Sequence, residues 1–467
     1  MTKYTFVFML FDIKPEDLPS EESDHILFLK TQLRKTKTYE NVNIVVVNTA
    51  FVNLKSSNSK TFKTVLSWFK PESSEGFNYK EQKLKDLGNI NIGSGDTLGM
   101  IFSFIKFHFP SERIIIYSNN HSNHFGGLSK QVVLINDIKF AHILSKVDGI
   151  SETGKPAKKK PMPVIELPHI DMLTYNELST AIKNGFIDEE TPKIDLLVTV
   201  ACYGTSIDNL VIFKDSVDYL FSSESVIFFD VINLSKLIEN IVDRDSISGG
   251  LSLLFSNFEE DWKGMEFGKF NKKAIFSVLN LKKEEQFVDD LNALLKFIID
   301  NPALLQFIRN QIPIDLRFPF SDTSNIVNTM NAGEERHNEL LTRCIDFIHF
   351  LNTLNNNNVL EHENKSVLSS LIETLKKDIE SMTAELFLNT RINKIPIKEA
   401  KLRPFYGISC FLPIRPFPQD LSFLDPNTFE QMASSYSPFS KSRNSFAKRT
   451  LWPELIQAIY KTDQTIL

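Results

Sequence analysis

Two short stretches of the chain hold side chains suited to acyl chemistry. One is His121-Ser122-Asn123-His124-Phe125-Gly126-Gly127, which follows a run of β-branched apolar residues. The other is Ala201-Cys202-Tyr203-Gly204, which follows Ile194–Val200. A thiol attacks a carbonyl only as its thiolate, so it needs a base or a lowered pKa. An imidazole beside it takes the proton and returns it. Backbone N–H groups in the two loops can hold the oxyanion that forms. Taken singly, each residue has a plain reading: a buried cysteine packs as a small hydrophobe, and a loop histidine is solvated. The pair says more, because both residues stand directly after apolar runs. It points to Cys–His peptidase chemistry with His121 as base and Cys202 as nucleophile.

Those runs are the elements that must position the pair. Tyr4–Phe11, Asn43–Val52, Arg113–Ser118 and Ile194–Val200 are nearly unbroken apolar segments, the signature of strands buried on both faces. Helical spacing separates them, around Glu22–Arg34, over Thr97–Phe109 before Pro110, and over Thr174–Gly185. Thr174 and Glu177 have capping-box spacing, and Gly185 fits a C-terminal cap. A short strand is expected over Val132–Ile138, and others over Asp218–Ser222 and Val226–Phe229. The alternation predicts an α/β, doubly wound, mostly parallel sheet flanked by helices, with function at the carboxyl ends of the strands. A helix beginning near Ser206 would favour the thiolate of Cys202 through its N-terminus. Asp12 follows the first strand at the same rim, where it can shape a substrate pocket or cap the next turn.

Beyond about residue 245 the pattern turns helical: Glu284–Ile299, Glu335–Leu354 and Lys365–Leu388. In the last, Leu368, Leu371, Leu375, Ile379, Met382 and Leu386 make one apolar face. Strand character returns near 406–412, and a final helix is expected over Ser445–Tyr460. Cys344, on a helix face, and Cys410, in the returning strand, read as core. The expected division is a catalytic domain over 1–245 and a mainly helical domain over 246–467. Residues 148–163 (DGISETGKPAKKKPMP) are rich in Gly, Pro and Lys and read as an exposed loop.

The totals narrow the class. The 467 residues are 42% hydrophobic and 24% charged, as in globular proteins. A net charge of −6 gives no electrostatic case for nucleic acid or an anionic membrane as partner. Three cysteines read as reduced thiols, and the N-terminus reads as a strand rather than a signal peptide, so a cytoplasmic protein is expected. No segment reaches the roughly 18 apolar residues of a membrane span. CxxC and HExxH patterns are absent, so no zinc or other cofactor is expected.

The ordered motifs resemble the clostripain family of caspase-like cysteine peptidases. They are an opening strand with an acidic turn (YTFVFMLFDIKPEDL), then NINIGSGDTLGMIFSFIKFHFPSERIIIYS leading to the histidine. A loop follows that is similar to His-Gly-Ser-Gly-Phe-Gly, then IDLLVTVACYG, DYLFSSES, GISCFLP and a closing RTLWPELI. The resemblance spans most of the chain. It implies an endopeptidase acting on protein or peptide substrates, with His121 and Cys202 as the dyad; His124 is the runner-up for the base. The N–H groups of Ser122 and Cys202 would form the oxyanion hole, and Val200 and Asp12 would lie at the substrate pocket. Some relatives use calcium.

Three departures stand out: at Ser122, at Val200, and in an N-terminus that reads as a strand where secreted members have a signal peptide. Ser122 replaces a glycine, which is compatible with activity if the backbone there need not take φ > 0. Val200 replaces the aspartate that pairs Arg or Lys at P1, so an uncharged P1 is expected. The lysines between Lys155 and Lys160 look like bait for a basic-specific enzyme, or simply keep the loop in solvent. An enzyme of this kind inside a cell needs restraint, through loop cleavage or an activating partner. Two other readings remain: an inactive caspase-like binding or regulatory module, and a generic α/β nucleotide- or phosphate-binding protein, for which no glycine-rich phosphate loop is present.

Overall fold

The computed structural model describes residues 2–11, 24–53, 60–72, 76–119, 126–133, 169–200, 204–224, 232–263, 274–283, 286–315, 344–389, 407–412 and 445–461. In chain order the elements begin with β1 (Thr2–Phe11), α1 (Asp24–Leu33), β2 (Val42–Asn53), β3 (Lys60–Pro71), β4 (Tyr79–Gly88), α2 (Gly95–His108) and β5 (Ser111–Asn119). There follow β6 (Gly126–Val133), β7 (His169–Thr174), α3 (Tyr175–Phe186), β8 (Ile194–Val200), α4 (Ile207–Phe213), β9 (Val217–Ser223), α5 (Leu234–Arg244) and α6 (Ile247–Lys263). The chain continues through β10 (Ala274–Asn280), a 3-10 turn (Leu281–Lys283), α7 (Phe287–Ile299), α8 (Pro302–Asp315), β11 (Cys344–Asp346), α9 (Phe347–Asn355) and α10 (His362–Met382). It closes with β12 (Thr383–Asn389), β13 (Ser409–Phe411), α11 (Ser445–Arg449) and α12 (Trp452–Lys461).

These elements form two compact units that interleave along the chain. The first holds β1–β8, α1–α3, α5 and α6. Its strands lie in the order β8-β5-β1-β2-β3-β4. From β8 to β2 every pairing is parallel, and β3 and β4 are added antiparallel. The parallel strands are the continuous apolar runs, and β1, β5 and β8 are buried almost throughout. Helix α3 carries the expected capping box: the Thr174 side chain accepts from the Glu177 N–H, and the Glu177 carboxylate accepts from the Thr174 N–H. Gly185 is not a cap, because α3 runs on through Phe186. It is instead the point where α3 meets α2, beside Phe102, which stacks on Phe186.

The second unit holds α4, α7–α12 and β9–β13. β9, β10 and β12 form antiparallel pairs, as do β11 and β13. Four expectations need correction. Cys344 belongs to a strand, not a helix face, and is in register with Phe411, while Cys410 faces Ile345. The long helix stops at Met382, and Leu386 is a strand residue of β12 paired with Ser277. On α10, Ile372 joins Leu368, Leu375, Ile379 and Met382 in the core in place of Leu371. The closing helix is two, broken at Thr450-Leu451. Residues 134–138 of the expected strand Val132–Ile138, the whole of the expected strand Val226–Phe229, and 335–343 lie outside the described residues. Among the described residues no single helix is long and apolar enough to cross a membrane.

Candidate active site

The carboxyl edge of the parallel strands is level. Leu10 of β1 is in register with Asn119 of β5, and Asn119 with Val200 of β8. Asn119 is separated from His121 by one residue in sequence, Val200 from Cys202 by one, and Leu10 from Asp12 by one. His121, Ser122, His124, Cys202 and Asp12 themselves lie outside the described residues, as does the 148–163 loop. Val200 is described and is 1% exposed.

Apolar residues bring the chain to this edge, and polar ones occupy its last positions. Ile114 to Tyr117 are buried, and Ser118 and Asn119 follow, also buried. The Asn119 amide lies 3.5 Å from the Nδ1 of His25 on α1, and among the described residues its Oδ1 has no donor. The Ser118 hydroxyl also lacks a hydrogen-bond partner among the described residues. Buried polar atoms of this kind are unusual in a finished core and common where a site is laid out.

In the other unit, the chain after Cys202 is tied down at once. Thr205 N–H donates to Ser223 O at 2.9 Å. Thr205 O in turn accepts from the N–H of Ser409 at 3.1 Å and from its hydroxyl at 2.9 Å. The Asn209 side chain donates to Gly204 O at 2.8 Å. Helix α4 begins where expected: Ser206 is its N-cap and accepts from Asn209 N–H. Every residue of α4 is buried, Asp208 included. Directly after β9, Glu224 is 0% exposed and accepts from Gly407 N–H at 2.9 Å. Burial, then the neighbouring Asp346 charge, pushes its carboxyl well above the usual range, and the Gly407 hydrogen bond only partly opposes them. The sequence placed Glu224 inside a motif without giving it a role; an acid directly after a buried strand was the available signal.

Among the described residues no three His, Cys, Asp or Glu side chains are grouped to hold a metal ion.

In sequence, residues 166–458 match the clostripain family. No curated protein matches the chain. Similar solved structures include a secreted C11 cysteine protease from Bacteroides thetaiotaomicron, "iotapain", at 12% identity and a TM-score of 0.54, covering 97% of this chain and 99% of that one. A secreted C11 cysteine protease from the same organism, in complex with an irreversible peptide inhibitor, is similar at 10% identity and 0.56, covering 93% and 99%. An inactive zymogen C11 protease from Parabacteroides distasonis is similar at 12% and 0.53, covering 88% and 92%. At such identities the likeness is one of fold.

Proposed function

The chain belongs to the clostripain family of cysteine peptidases, and from that premise we propose that it is an endopeptidase working through Cys202 and His121. The observation that carries the reading is the level register of Asn119 and Val200 on adjacent parallel strands. The chain leaves each strand one residue before the proposed base and nucleophile.

The chemistry follows from the residue types. His121 takes the thiol proton as the Cys202 sulfur bonds to the scissile carbonyl carbon. The carbonyl electrons move onto oxygen, and the N–H groups of Ser122 and Cys202 hold that oxyanion. The C–N bond then breaks, His121 gives its proton to the leaving amine, and a thioester remains. Water attacks the thioester with His121 again as base, releasing the acid and restoring the thiol. Val200 forms an apolar floor to the P1 pocket and favours an uncharged side chain there. By role, residues 1–245 are the catalytic domain and 246–467 its mainly helical support. Restraint comes from the 148–163 loop, cut by the enzyme itself, or from an activating partner. A second reading, an inactive binding module, is favoured by Ser122 where the family has glycine.

The test combines turnover and mass spectrometry on purified protein. Cys202→Ala and His121→Ala should each lower peptide turnover by about 1,000-fold or more while leaving the fold intact. Wild type should be cut within 148–163 and Cys202→Ala should stay whole. Turnover retained by Cys202→Ala would sink the assignment. Loss with His124→Ala but not His121→Ala would move the base to His124. A wild type with no turnover favours the binding module.

A further inference from the structure

Behind the segment that follows Cys202 lies a closed ring of hydrogen bonds within one compact unit. Starting at the end of β9, Ser223 O accepts from Thr205 N–H. Thr205 O accepts twice from Ser409, through its N–H and its hydroxyl. Two residues earlier, Gly407 N–H donates to the Glu224 carboxyl, and Glu224 is bonded to Ser223 along the chain. Gly407 sits at φ +84°, which favours glycine, and its carbonyl is held by the Ser277 hydroxyl at 2.7 Å.

One member of this ring is anchored from outside it. The Asp346 carboxyl stands beside that of Glu224 and raises it. Asp346 is itself fixed twice: its Oδ1 accepts from His349 N–H at 2.7 Å as the cap of α9, and its backbone is paired with Ser409 across β11 and β13. Phe347 N–H donates to Ile408 O in the same ladder. Two carboxyls bond to each other only by sharing a proton, since neither carboxylate is a donor. Among the described residues no N–H donates to Glu224 Oε1, which is buried.

We propose that Glu224 is a positioning residue for the reaction at Cys202: its hydrogen bond to Gly407 N–H, with Asp346 beside it, holds residues 407–409 against Thr205 and so fixes the backbone that leaves the nucleophile. This rests on the peptidase reading of Cys202. Neither acid touches substrate. Glu224 follows β9 and ties it to the chain entering β13, and Asp346 caps α9; Thr205, which that chain holds, is three positions after Cys202 in sequence. A single proton between the carboxyls suits that task, because it lets two acids close on each other in a dry site where two charges would repel.

Glutamine at 224 separates positioning from charge. Its amide oxygen can accept from Gly407 N–H, and its NH2 can donate to an ionised Asp346. The experiment uses the full chain and a single well-cleaved peptide chosen from a profiling library. Alongside it, the rate of Cys202 alkylation by iodoacetamide is followed by mass spectrometry. Glu224→Ala should lower kcat by about 100-fold, the order expected for a misplaced reacting group, with KM little changed. Glu224→Gln should recover most of that loss. Ser409→Ala, which removes only the hydroxyl bond to Thr205, should lower kcat less, and it decides the question if Glu224→Ala does not fold. Folded Glu224→Ala or Ser409→Ala with wild-type kcat and wild-type alkylation would overturn the inference while leaving the peptidase reading standing. So would a Glu224→Gln as impaired as Glu224→Ala. A wild type that neither cleaves peptide nor reacts at Cys202 would overturn both.

Discussion

On the proposed peptidase reading, substrate choice turns on Val200. It ends β8 in a fully buried position, its side chain offers no partner to a guanidinium or ammonium, and burying such a charge unpaired is costly. Val200→Asp should therefore reverse the preference. It would install a carboxylate that only a basic P1 side chain can pair, and peptide profiling should show Arg or Lys replacing neutral residues. Without substrate the same carboxylate is buried alone, so thermal stability should drop by roughly 3 kcal/mol, the scale of an uncompensated buried charge. A wild type that already prefers Arg or Lys would mean that another acid, Asp12 or Asp208, serves the pocket.

At the scale of elements, the α2–α3 contact is the tightest described for a glycine in the first unit. A Cβ on Gly185 would stand 2.3 Å from the Phe102 Cβ and 2.8 Å from Gly99 O. Neither neighbour is a flexible tip, so the helices must part. Gly185→Ala should destabilise by about 3 kcal/mol or more, at the upper end for overpacking, read from urea unfolding; a neutral result would mean that α3 slides freely on α2. This contact also shows what the sequence conceals. A glycine near a helix end looks like a cap, and only the partner helix reveals that it is a packing surface. The parallel strands were legible because burial on both faces writes an unbroken apolar run. β3 and β4 were not, since KTFKTVLSWFKP and YKEQKLKDLG interleave charges with apolar residues on strands paired antiparallel. The boundary at Met382 was hidden for another reason: apolar spacing continues through Leu386, and pairing with β10 decides the conformation. Of the site, the strand ends before His121 and Cys202 could be read directly. The meeting of Glu224 with Asp346 could not, because distant segments join only in the folded chain.

For the molecule as a whole, two acids with raised pKa, the part-exposed Asp378 and the buried Glu224, give stability an unusual dependence on pH. Burial first, then Asp290 beside it, raises the Asp378 carboxyl from 3.8 to about 6. The unfolded chain thus releases this proton before the folded one does. Stability from this group is complete below about pH 3.8 and falls as pH rises toward 6, after which it is level. Glu224 acts in the same direction from its ordinary value of 4.5 upward. Denaturant melts across this range should show Asp378→Asn losing the decline between pH 3.8 and 6 relative to wild type, and Glu224→Gln losing the decline that sets in as pH rises past 4.5. An unchanged slope in both variants would contradict these placements. The last consequence belongs to β4, which closes one side of the first unit's sheet. Its acids are engaged, Glu81 with Lys30 at 2.8 Å and Asp86 with Lys63 at 2.6 Å, while Lys80 and Lys83 are exposed. An open strand is a template on which a stranger's strand can grow, and like-charged lysines forbid a second copy from docking there. Replacing Lys80 and Lys83 by threonine should leave the fold alone and shorten the lag before light scattering rises in concentrated solution, whereas an unaltered lag would show that β4 needs no such guard. What looks like surface decoration on one strand would then set how much of this protein a cell can hold in solution.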